Sequence, residues 1–279
     1  MIDANGQPAA CPSRLDAVRL AFGLLSVLPA GTPSRVDRVV GRRAMILAPL
    51  VGAVLGGIAA AVVALVQLLR PDAALLAAVL GVLVVAGLSG ALHLDGLADF
   101  ADALGSRRDR ETMLRIMKQS DIGPFGVISI VAVLLVDVAA LTTCIQHGHG
   151  WQAILIATTA SRLTLPWTCR TTIPSARPDG LGAVVAATVS PLTAFLTTTA
   201  VLAAATALAW LTAGVTALTS LTTGLTPATA LAVLVAVLTA LATTRRARTA
   251  LGGTTGDVLG TAIELALPLT LLTLALATP

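Results

Sequence analysis

Long apolar runs dominate this chain and alternate with short segments that carry most of its polar side chains. A helix needs about 20 apolar residues to cross the hydrocarbon core of a bilayer, and several runs approach that length. We predict membrane spans at 44–69, 73–92, 122–143, 152–168, 192–212, 227–243 and 258–278. The pattern therefore predicts an all-α, polytopic integral membrane protein with about seven transmembrane helices.

The segments outside these runs are less regular. The apolar run 15–30 contains two charged residues, so we expect either a surface helix or a short extra span. Residues 1–14 are predicted to form a polar N-terminal tail. The stretch 213–226 is rich in Thr and Gly and is expected to stay outside the membrane without spanning it. Residues 15–279 are expected to form a single membrane-embedded catalytic domain.

Composition and charge exclude an ordinary soluble protein. Hydrophobic residues make up 56% of the chain and charged residues 11%, whereas soluble domains are about 25% charged. If segment 31–43 is cytoplasmic, loops 93–121, 162–182 and 244–257 are cytoplasmic too, and most Lys and Arg residues then lie on that side. The three cysteines are far apart and indicate neither a disulfide framework nor a zinc site. We expect the lipid bilayer and small molecules as partners, and no nucleic acid.

Three carboxylates stand out near the end of the second predicted span. Asp95, Asp99 and Asp102 occupy positions i, i+4 and i+7, so they share one face of a helix. Carboxylates crowded in this way repel one another unless a cation holds them. Mg²⁺ suits such a group, because it binds a few carboxylates and keeps waters and substrate phosphate oxygens as its other ligands. The motif therefore predicts phosphoryl-transfer chemistry at a membrane surface.

A second acidic motif begins the last predicted span. Asp257 and Glu264 are seven residues apart and share one helix face, and Gly253, Gly256 and Gly260 permit close approach of backbone or phosphate. A carboxylate as deep as Glu264 is costly to bury without a partner. We therefore predict that the two acidic faces form one site. The predicted metal ligands are Asp95, Asp99, Asp102, Asp257 and Glu264, and the four aspartates among them are also the predicted catalytic residues.

Basic residues near these motifs are suited to anionic substrates. The segment Ser106-Arg-Arg-Asp109 is expected to be a capping box that opens an amphipathic surface helix. Guanidinium groups bind phosphate oxygens in pairs, although each arginine is equally well suited to setting topology or contacting lipid headgroups. The predicted substrate-binding residues are Arg108, Arg115, Lys118, Arg162, Arg177, Gly253 and Gly256.

Three separated segments also resemble a known family. They are HLDGLADFADALG at 93–105, RIMKQSDIGPFGV at 115–127 and GGTTGDVLGTAIEL at 252–265. In this order they resemble the cobalamin synthase family, also called adenosylcobinamide-GDP ribazoletransferases. Weaker similarity extends through 48–56, 160–162 and 175–182, so the resemblance covers nearly the whole chain beyond the first dozen residues.

The resemblance implies the last assembly step of the vitamin B12 coenzyme. In that step a hydroxyl of α-ribazole or its 5′-phosphate attacks the cobinamide-side phosphorus of adenosylcobinamide-GDP, and GMP leaves. The implied product is adenosylcobalamin or its 5′-phosphate, and the implied cofactor is Mg²⁺. The implied location is the bacterial inner membrane, with the active site on the cytoplasmic side.

Three other functions deserve comparison with this one. CDP-alcohol phosphatidyltransferases also combine Asp-Gly with further aspartates, but their motif has an arginine where this chain has Asp99. A membrane prenyltransferase needs aromatic walls, and only 3% of these residues are aromatic. A cation transporter is expected to place its acidic residues near mid-membrane, whereas most acids here are predicted to cluster at one interface.

Overall fold

The computed structural model describes residues 14–212 and 224–277, and its regular elements in these ranges are all helices. The predicted all-α class is confirmed. The helices are α1 (Arg14–Leu25), α2 (Arg38–Leu69), α3 (Ala74–Leu88), α4 (Leu92–Gly105), α5 (Arg110–Ile116), α6 (Pro124–Gln146), α7 (Gly150–Arg162), α8 (Thr164–Thr168), α9 (Gly180–Val185), α10 (Pro191–Thr212), α11 (Leu225–Leu251) and α12 (Gly256–Ala277).

Five helices of the described ranges are long and apolar enough to cross a membrane: α2, α6, α10, α11 and α12. A sixth span is obtained if α3 and α4, which meet at 86°, are counted as one bent segment. The predicted span 152–168 is divided between α7, with 13 residues, and the short α8. A 13-residue helix is about 20 Å long, which is less than the thickness of the hydrocarbon core. Length and composition therefore support five or six spans of the seven or so expected.

The run 15–30 contains the 12-residue helix α1, which is about 18 Å long and packs against α2. Its buried Asp16 accepts hydrogen bonds from the backbone N–H of Ser34 at 2.9 Å and from the Ser34 hydroxyl at 2.8 Å. This contact ties α1 to the chain that leads into α2. At 12 residues this helix is shorter than the roughly 20 needed to cross a bilayer, and the choice between a surface helix and a short span stays a prediction. The predicted tail lies almost wholly outside the described residues, as does most of the stretch 213–226.

The predicted span 73–92 ends earlier than expected. Gly90 and Ala91 both have positive φ angles, of 63° and 54°, and the Ala91 N–H donates to the Ala86 carbonyl at 2.9 Å. Left-handed residues are a common way to end a helix. Helix α3 therefore stops at Leu88, and the acidic motif starts a helix of its own in a new direction.

The predicted capping box at Ser106 is wrong by three residues. The Ser106 hydroxyl donates to the Ala103 carbonyl at 2.6 Å and so belongs to the last turn of α4. The carboxylate of Asp109 accepts the Thr112 N–H at 3.0 Å and caps the next helix, which begins at Arg110. Aspartate is among the strongest N-cap residues, so it is Asp109, placed next to the helical residues, that starts α5.

Helix α5 is amphipathic, as predicted. Met113 and the following Met117 are buried, whereas Arg115 and Lys118 are exposed. The two methionines pack in an apolar cluster with residues of α4, α11 and α12, among them Phe100. This packing holds the basic side chains on the outer face of the helix.

Helix α12 lies at the centre of the described fold, because it packs against α4, α6, α7 and α11. A second close contact joins α2 to α7 at Gly52, where an added Cβ would lie 2.5 Å from the Thr158 carbonyl oxygen. Only glycine fits at such a distance. The central position of α12 places Glu264 in the interior of the helix bundle, whereas Asp257 in the first turn is half-buried.

Candidate active site

Helices α4 and α12 touch through their backbones, and this contact joins the two acidic motifs. A Cβ at Gly96 would lie 2.9 Å from the Cα of Asp257, and one at Gly260 would lie 3.2 Å from the Cα of His93. The Thr261 hydroxyl donates to the Gly96 carbonyl at 3.0 Å across the same contact. Glycine is required at Gly96 because a larger residue would push the helices apart. The sequence-based prediction did not include this role of Gly96, although the Asp-Gly pair at 95–96 indicates a special position.

The predicted carboxylates Asp95, Asp99 and Asp257 come together at this contact. Asp99 interacts electrostatically with Asp95, Asp102 and Asp257, and Asp257 interacts with Asp95 as well. Asp95 is exposed and the other two are half-buried. No donor within the described ranges makes a hydrogen bond to the side chain of Asp95 or Asp99. We call Asp95, Asp99 and Asp257 the acidic cluster, in which the oxygens of Asp95 and Asp99 accept no hydrogen bond from the described residues.

Asp102 shares the helix face of the acidic cluster but has other partners. Its two carboxylate oxygens accept the N–H groups of Gly123 at 2.7 Å and Gly126 at 2.9 Å. These N–H groups belong to the start of α6, which has no other side-chain cap. Asp102 thus caps α6 and fixes the direction in which the chain re-enters the bundle.

Glu264 lies two turns further along α12 and is buried. It interacts electrostatically with Asp137 on α6 and with Arg162 at the end of α7. Arg162 is fully buried and donates to the Ser161 hydroxyl at 2.9 Å, while its Nε and Nη2 have no partner in the described structure. The predicted ligand Glu264 and the predicted substrate-binding Arg162 therefore lie in an interior group with Asp137, which we call the buried charged group.

Arg177 is the predicted substrate-binding residue that reaches the acidic cluster. It interacts electrostatically with Asp99 and Asp257, and its Nη2 donates to the Leu114 carbonyl at 2.8 Å. Its position follows from the pairing of two loops, in which the Ala176 N–H donates to the Thr254 carbonyl at 2.9 Å. Arg177 is the positive charge best placed to meet an anion beside the carboxylates.

The two predicted glycines have different surroundings. Gly253 is buried in the loop pairing, where an added Cβ would overlap the Pro174 carbonyl oxygen. The space next to Gly253 is therefore filled by protein backbone. Gly256 is half-exposed, and an added Cβ would come no closer than 3.8 Å to Leu181. Gly256 therefore leaves open space at the start of α12.

The remaining predicted substrate-binding residues lie on or next to α5. The Lys118 ammonium is 3.3 Å from the Asp179 carboxylate, and its hydrogen bond and charge hold the pKa of Asp179 below the ordinary value. Arg115 donates a long bond of 3.5 Å to the Thr112 hydroxyl. Arg108 is exposed, with no side-chain partner in the described ranges. These three basic groups lie at the surface, where they can meet a charged ligand.

Two further residues that shape the site were not predicted. Thr255 accepts the Val258 N–H at 3.3 Å and contacts the Asp257 carboxylate at 3.2 Å, so it caps α12 and orients Asp257. A threonine just before an apolar run is a recognised N-cap signal. Arg110 donates to the Ala176 carbonyl at 3.0 Å and supports the paired loops from α5. No local pattern indicates this contact, because its partners are 66 residues apart.

A mainly apolar cavity of about 230 Å³ opens beside the acidic cluster. His93 is part of its wall, and the Nε2 atom of this buried side chain has no hydrogen-bond partner among the described residues. Asp95 and Asp257 line the same cavity. An apolar group placed here would therefore lie next to both acidic motifs. The full lining is Leu24, Leu25, Met45, Leu92, His93, Asp95, Leu165, Leu181, Gly256, Asp257, Leu259, Gly260 and Ile263.

The acidic cluster has the donor chemistry that a hard divalent cation requires. Its ligands are carboxylate oxygens from two helices, and no hydrogen-bond donor competes for those of Asp95 and Asp99 in the described structure. Within residues 14–212 and 224–277, no group of three or more His, Cys, Asp or Glu side chains is arranged so that it could hold a metal ion. An ion bound at the cluster would therefore take fewer than three of these side chains as ligands, with waters and substrate oxygens as the others.

Comparisons with known proteins cover almost the entire chain. The family model described as cobalamin-5-phosphate synthase matches residues 17–275. An adenosylcobinamide-GDP ribazoletransferase of Frankia casuarinae is 41% identical over 268 residues, which cover 94% of this chain and 95% of that protein. One of a Nocardioides species is 38% identical over 258 residues, covering 92% of this chain and 97% of the relative. No solved structure matches. The chain belongs to the cobalamin-5-phosphate synthase family.

Proposed function

We propose that this protein is an adenosylcobinamide-GDP ribazoletransferase, which joins α-ribazole or its 5′-phosphate to adenosylcobinamide-GDP and releases GMP. Its relatives carry this name over nearly their full length. The structural observation that carries the proposal is the meeting of Asp95, Asp99, Asp257 and Arg177, from three separate segments, at the edge of an apolar cavity.

The reaction needs charge control around a diphosphate. The attacking hydroxyl forms a new P–O bond at the cobinamide-side phosphorus, the bond from that phosphorus to the bridging oxygen breaks, and the proton of the hydroxyl passes to a base. The Arg177 guanidinium can hold phosphate oxygens beside the carboxylates, as positive side chains do in other phosphoryl-transfer sites. A carboxylate of the acidic cluster is well suited to accept the proton.

We propose that the base of α-ribazole binds in the cavity beside the acidic cluster. A base such as that of α-ribazole is flat and mostly apolar, and the cavity is lined mainly by leucine, methionine and isoleucine. Asp95 and Asp257 lie in its wall, so a ligand held there presents its polar end to the carboxylates. Exclusion of water from such a cavity strengthens the electrostatic contacts within it.

The proposed cofactor is Mg²⁺, held by one or two carboxylates of the acidic cluster together with phosphate oxygens of the substrate, and the candidate ligands are Asp95, Asp99 and Asp257. When bound there it would neutralise the charge that develops on the leaving phosphate. The number of protein oxygens fits an ion that keeps waters and phosphate oxygens among its ligands. Asp102 and Glu264 remain predicted ligands, although the contacts of Asp102 are to the start of α6 and those of Glu264 are to the buried charged group.

The proposed location is the bacterial inner membrane, with the acidic cluster on the cytoplasmic side. The apolar helices support a multi-pass membrane protein. The side follows from the concentration of Lys and Arg in loops 93–121, 162–182 and 244–257, which adjoin the cluster residues. We further propose that residues 15–279 act as one catalytic domain.

The direct test is GMP release by the purified, detergent-solubilised protein. We expect GMP and a cobalamin product from adenosylcobinamide-GDP and α-ribazole with Mg²⁺, and little GMP when EDTA removes the metal. Asp95→Asn and Asp257→Asn are the matched site variants, and Arg246→Gln is an exposed control from outside the cavity. A folded wild-type protein that forms no GMP and no cobalamin would overturn the proposal.

The same purified protein, assayed in detergent and after reconstitution into vesicles, separates the alternatives. A CDP-alcohol phosphatidyltransferase would release CMP from a CDP-alcohol, and a cation transporter would move a divalent ion into sealed vesicles without turning over adenosylcobinamide-GDP. If GMP release is unchanged in EDTA, the enzyme assignment stands and the proposed role of the metal is wrong.

A further inference from the structure

A second pocket, separate from the acidic cluster, is rich in arginine. It has a volume of about 550 Å³ and lies between the end of α11 and the chain that follows α8. Arg170, Arg245 and Arg248 contribute to its wall, and no acidic residue does. The other lining residues are Ile173, Leu241, Thr244 and Thr249. We call this the arginine pocket.

The three guanidinium groups come from two elements and are partly fixed in place. Arg245 and Arg248 are three residues apart on α11 and so lie on the same side of the helix. Arg170 lies across from them, with its Nε donating to the Trp167 carbonyl at 3.0 Å and its guanidinium 5.1 Å from the centre of the Trp167 ring. The stacking and the hydrogen bond hold Arg170 against the pocket wall.

These positive charges lack a protein counter-charge. Within the described ranges, none of the three arginines forms an ion pair with a carboxylate. Partial burial, and then the positive charge of Arg248, lowers the pKa of Arg170. Like charges brought together around a concave surface repel one another, and a bound anion removes that repulsion.

The chemistry points to one kind of ligand group. Guanidinium groups bind phosphate oxygens through two parallel hydrogen bonds, and three of them around one pocket can share a doubly or singly charged phosphate. Arginines that only set topology need no concave arrangement and no contribution from a second segment. We propose that the arginine pocket binds a phosphate group, carried either by an anionic lipid headgroup or by a nucleotide.

Arg246 provides a matched control for this proposal. It lies on the same helix as Arg245 and Arg248, it is exposed, and it does not line the pocket. Arg248→Gln and Arg246→Gln therefore each remove one positive charge from the same turn of α11, but only the first removes it from the pocket. Arg245→Gln, also at an exposed residue, is a second pocket variant.

The experiment measures binding rather than turnover, so its result is independent of the proposed reaction. The full chain in detergent is titrated with GDP, and the same chain in nanodiscs of phosphatidylcholine is titrated with phosphatidylglycerol by native mass spectrometry. We expect Arg248→Gln and Arg245→Gln to weaken binding of one probe by about 10-fold relative to Arg246→Gln, because each loses a charge-assisted pair of bonds. Loss in the GDP arm identifies a nucleotide phosphate, and loss in the lipid arm identifies a headgroup.

The outcome that overturns the proposal is equally specific. If both pocket variants bind GDP and phosphatidylglycerol as tightly as Arg246→Gln does, the pocket does not bind phosphate. Unchanged melting temperatures of the variants in detergent ensure that a loss of binding reflects the pocket and not the fold.

Discussion

Helix α12 carries two acidic residues, seven positions apart, with very different surroundings. Asp257, in the first turn, is half-buried, lines a cavity and lies near Asp95, Asp99 and Arg177. Glu264 is buried among helices and interacts with Arg162 and Asp137. Both are carboxylates on one face of one helix, but only Asp257 can be reached from the cavity.

The degree of burial of a carboxylate determines whether it can bind a ligand or must be stabilised by neighbouring protein groups. Carboxylates at the cavity keep oxygens available for a cation or a substrate, and their mutual repulsion is relieved only when one binds. Carboxylates in the interior must be compensated by the protein itself, because desolvation of an unpaired charge is costly. We therefore expect substitutions in the acidic cluster to affect catalysis and those in the buried charged group to affect folding.

The largest effect is expected at Arg162. Arg162→Met would leave Asp137 and Glu264 in the interior without their positive neighbour, at a cost of about 3–5 kcal/mol in the free energy of unfolding. Denaturant or thermal unfolding in detergent measures this cost, with Arg246→Gln as an exposed control. A variant that keeps its stability but raises the KM for adenosylcobinamide-GDP would instead support the sequence-based assignment of Arg162 to substrate binding.

The next largest effect is expected in the acidic cluster. Asp95→Asn or Asp257→Asn should lower turnover by about 100-fold or more, because each removes a charge that faces the developing phosphate charge. The melting temperature should stay close to that of the wild type, since these side chains are not fully buried. GMP release and thermal unfolding are measured on the same samples. Turnover at the wild-type level in both variants would rule out the acidic cluster as the catalytic site.

Substitutions of Asp102 test whether this residue acts as a helix cap or as a metal ligand. Asp102→Ala should cost about 1–2 kcal/mol in stability, because the N–H groups of Gly123 and Gly126 lose their acceptor. Asparagine has one acceptor oxygen and can keep one of these two bonds, so Asp102→Asn should lose less stability than Asp102→Ala and keep most of the turnover if capping is the main role. A fall of about 100-fold in Asp102→Asn would favour the predicted metal role instead.

The smallest effect is expected at His149. This residue precedes α7, and it lines neither the cavity nor the arginine pocket. His149→Ala should therefore change GMP release by less than about twofold, which is within the range expected for a substitution away from such features. A large loss of turnover with an unchanged melting temperature would show that the catalytic surface extends further than the acidic cluster.

Local patterns were sufficient for much of the fold. The apolar runs predicted the long helices α2, α6, α10, α11 and α12, because membrane spans need long uncharged segments. They failed at the break before α4, where two left-handed residues end α3, and at Ser106, where the cap is Asp109. Both errors concern boundaries, which depend on the conformation of single residues.

The sequence by itself determined the membrane class, the two acidic motifs and the family. These follow from composition and from residues close together in the chain, which report on local periodicity and chemistry. Only the tertiary structure decided which charged residues meet. The contact of Gly96 with α12 joins Asp95 and Asp99 to Asp257, the turn before α6 takes up Asp102, and the interior takes up Glu264. Partners distant in sequence are selected by backbone approach and burial, and helical spacing contains no information about either.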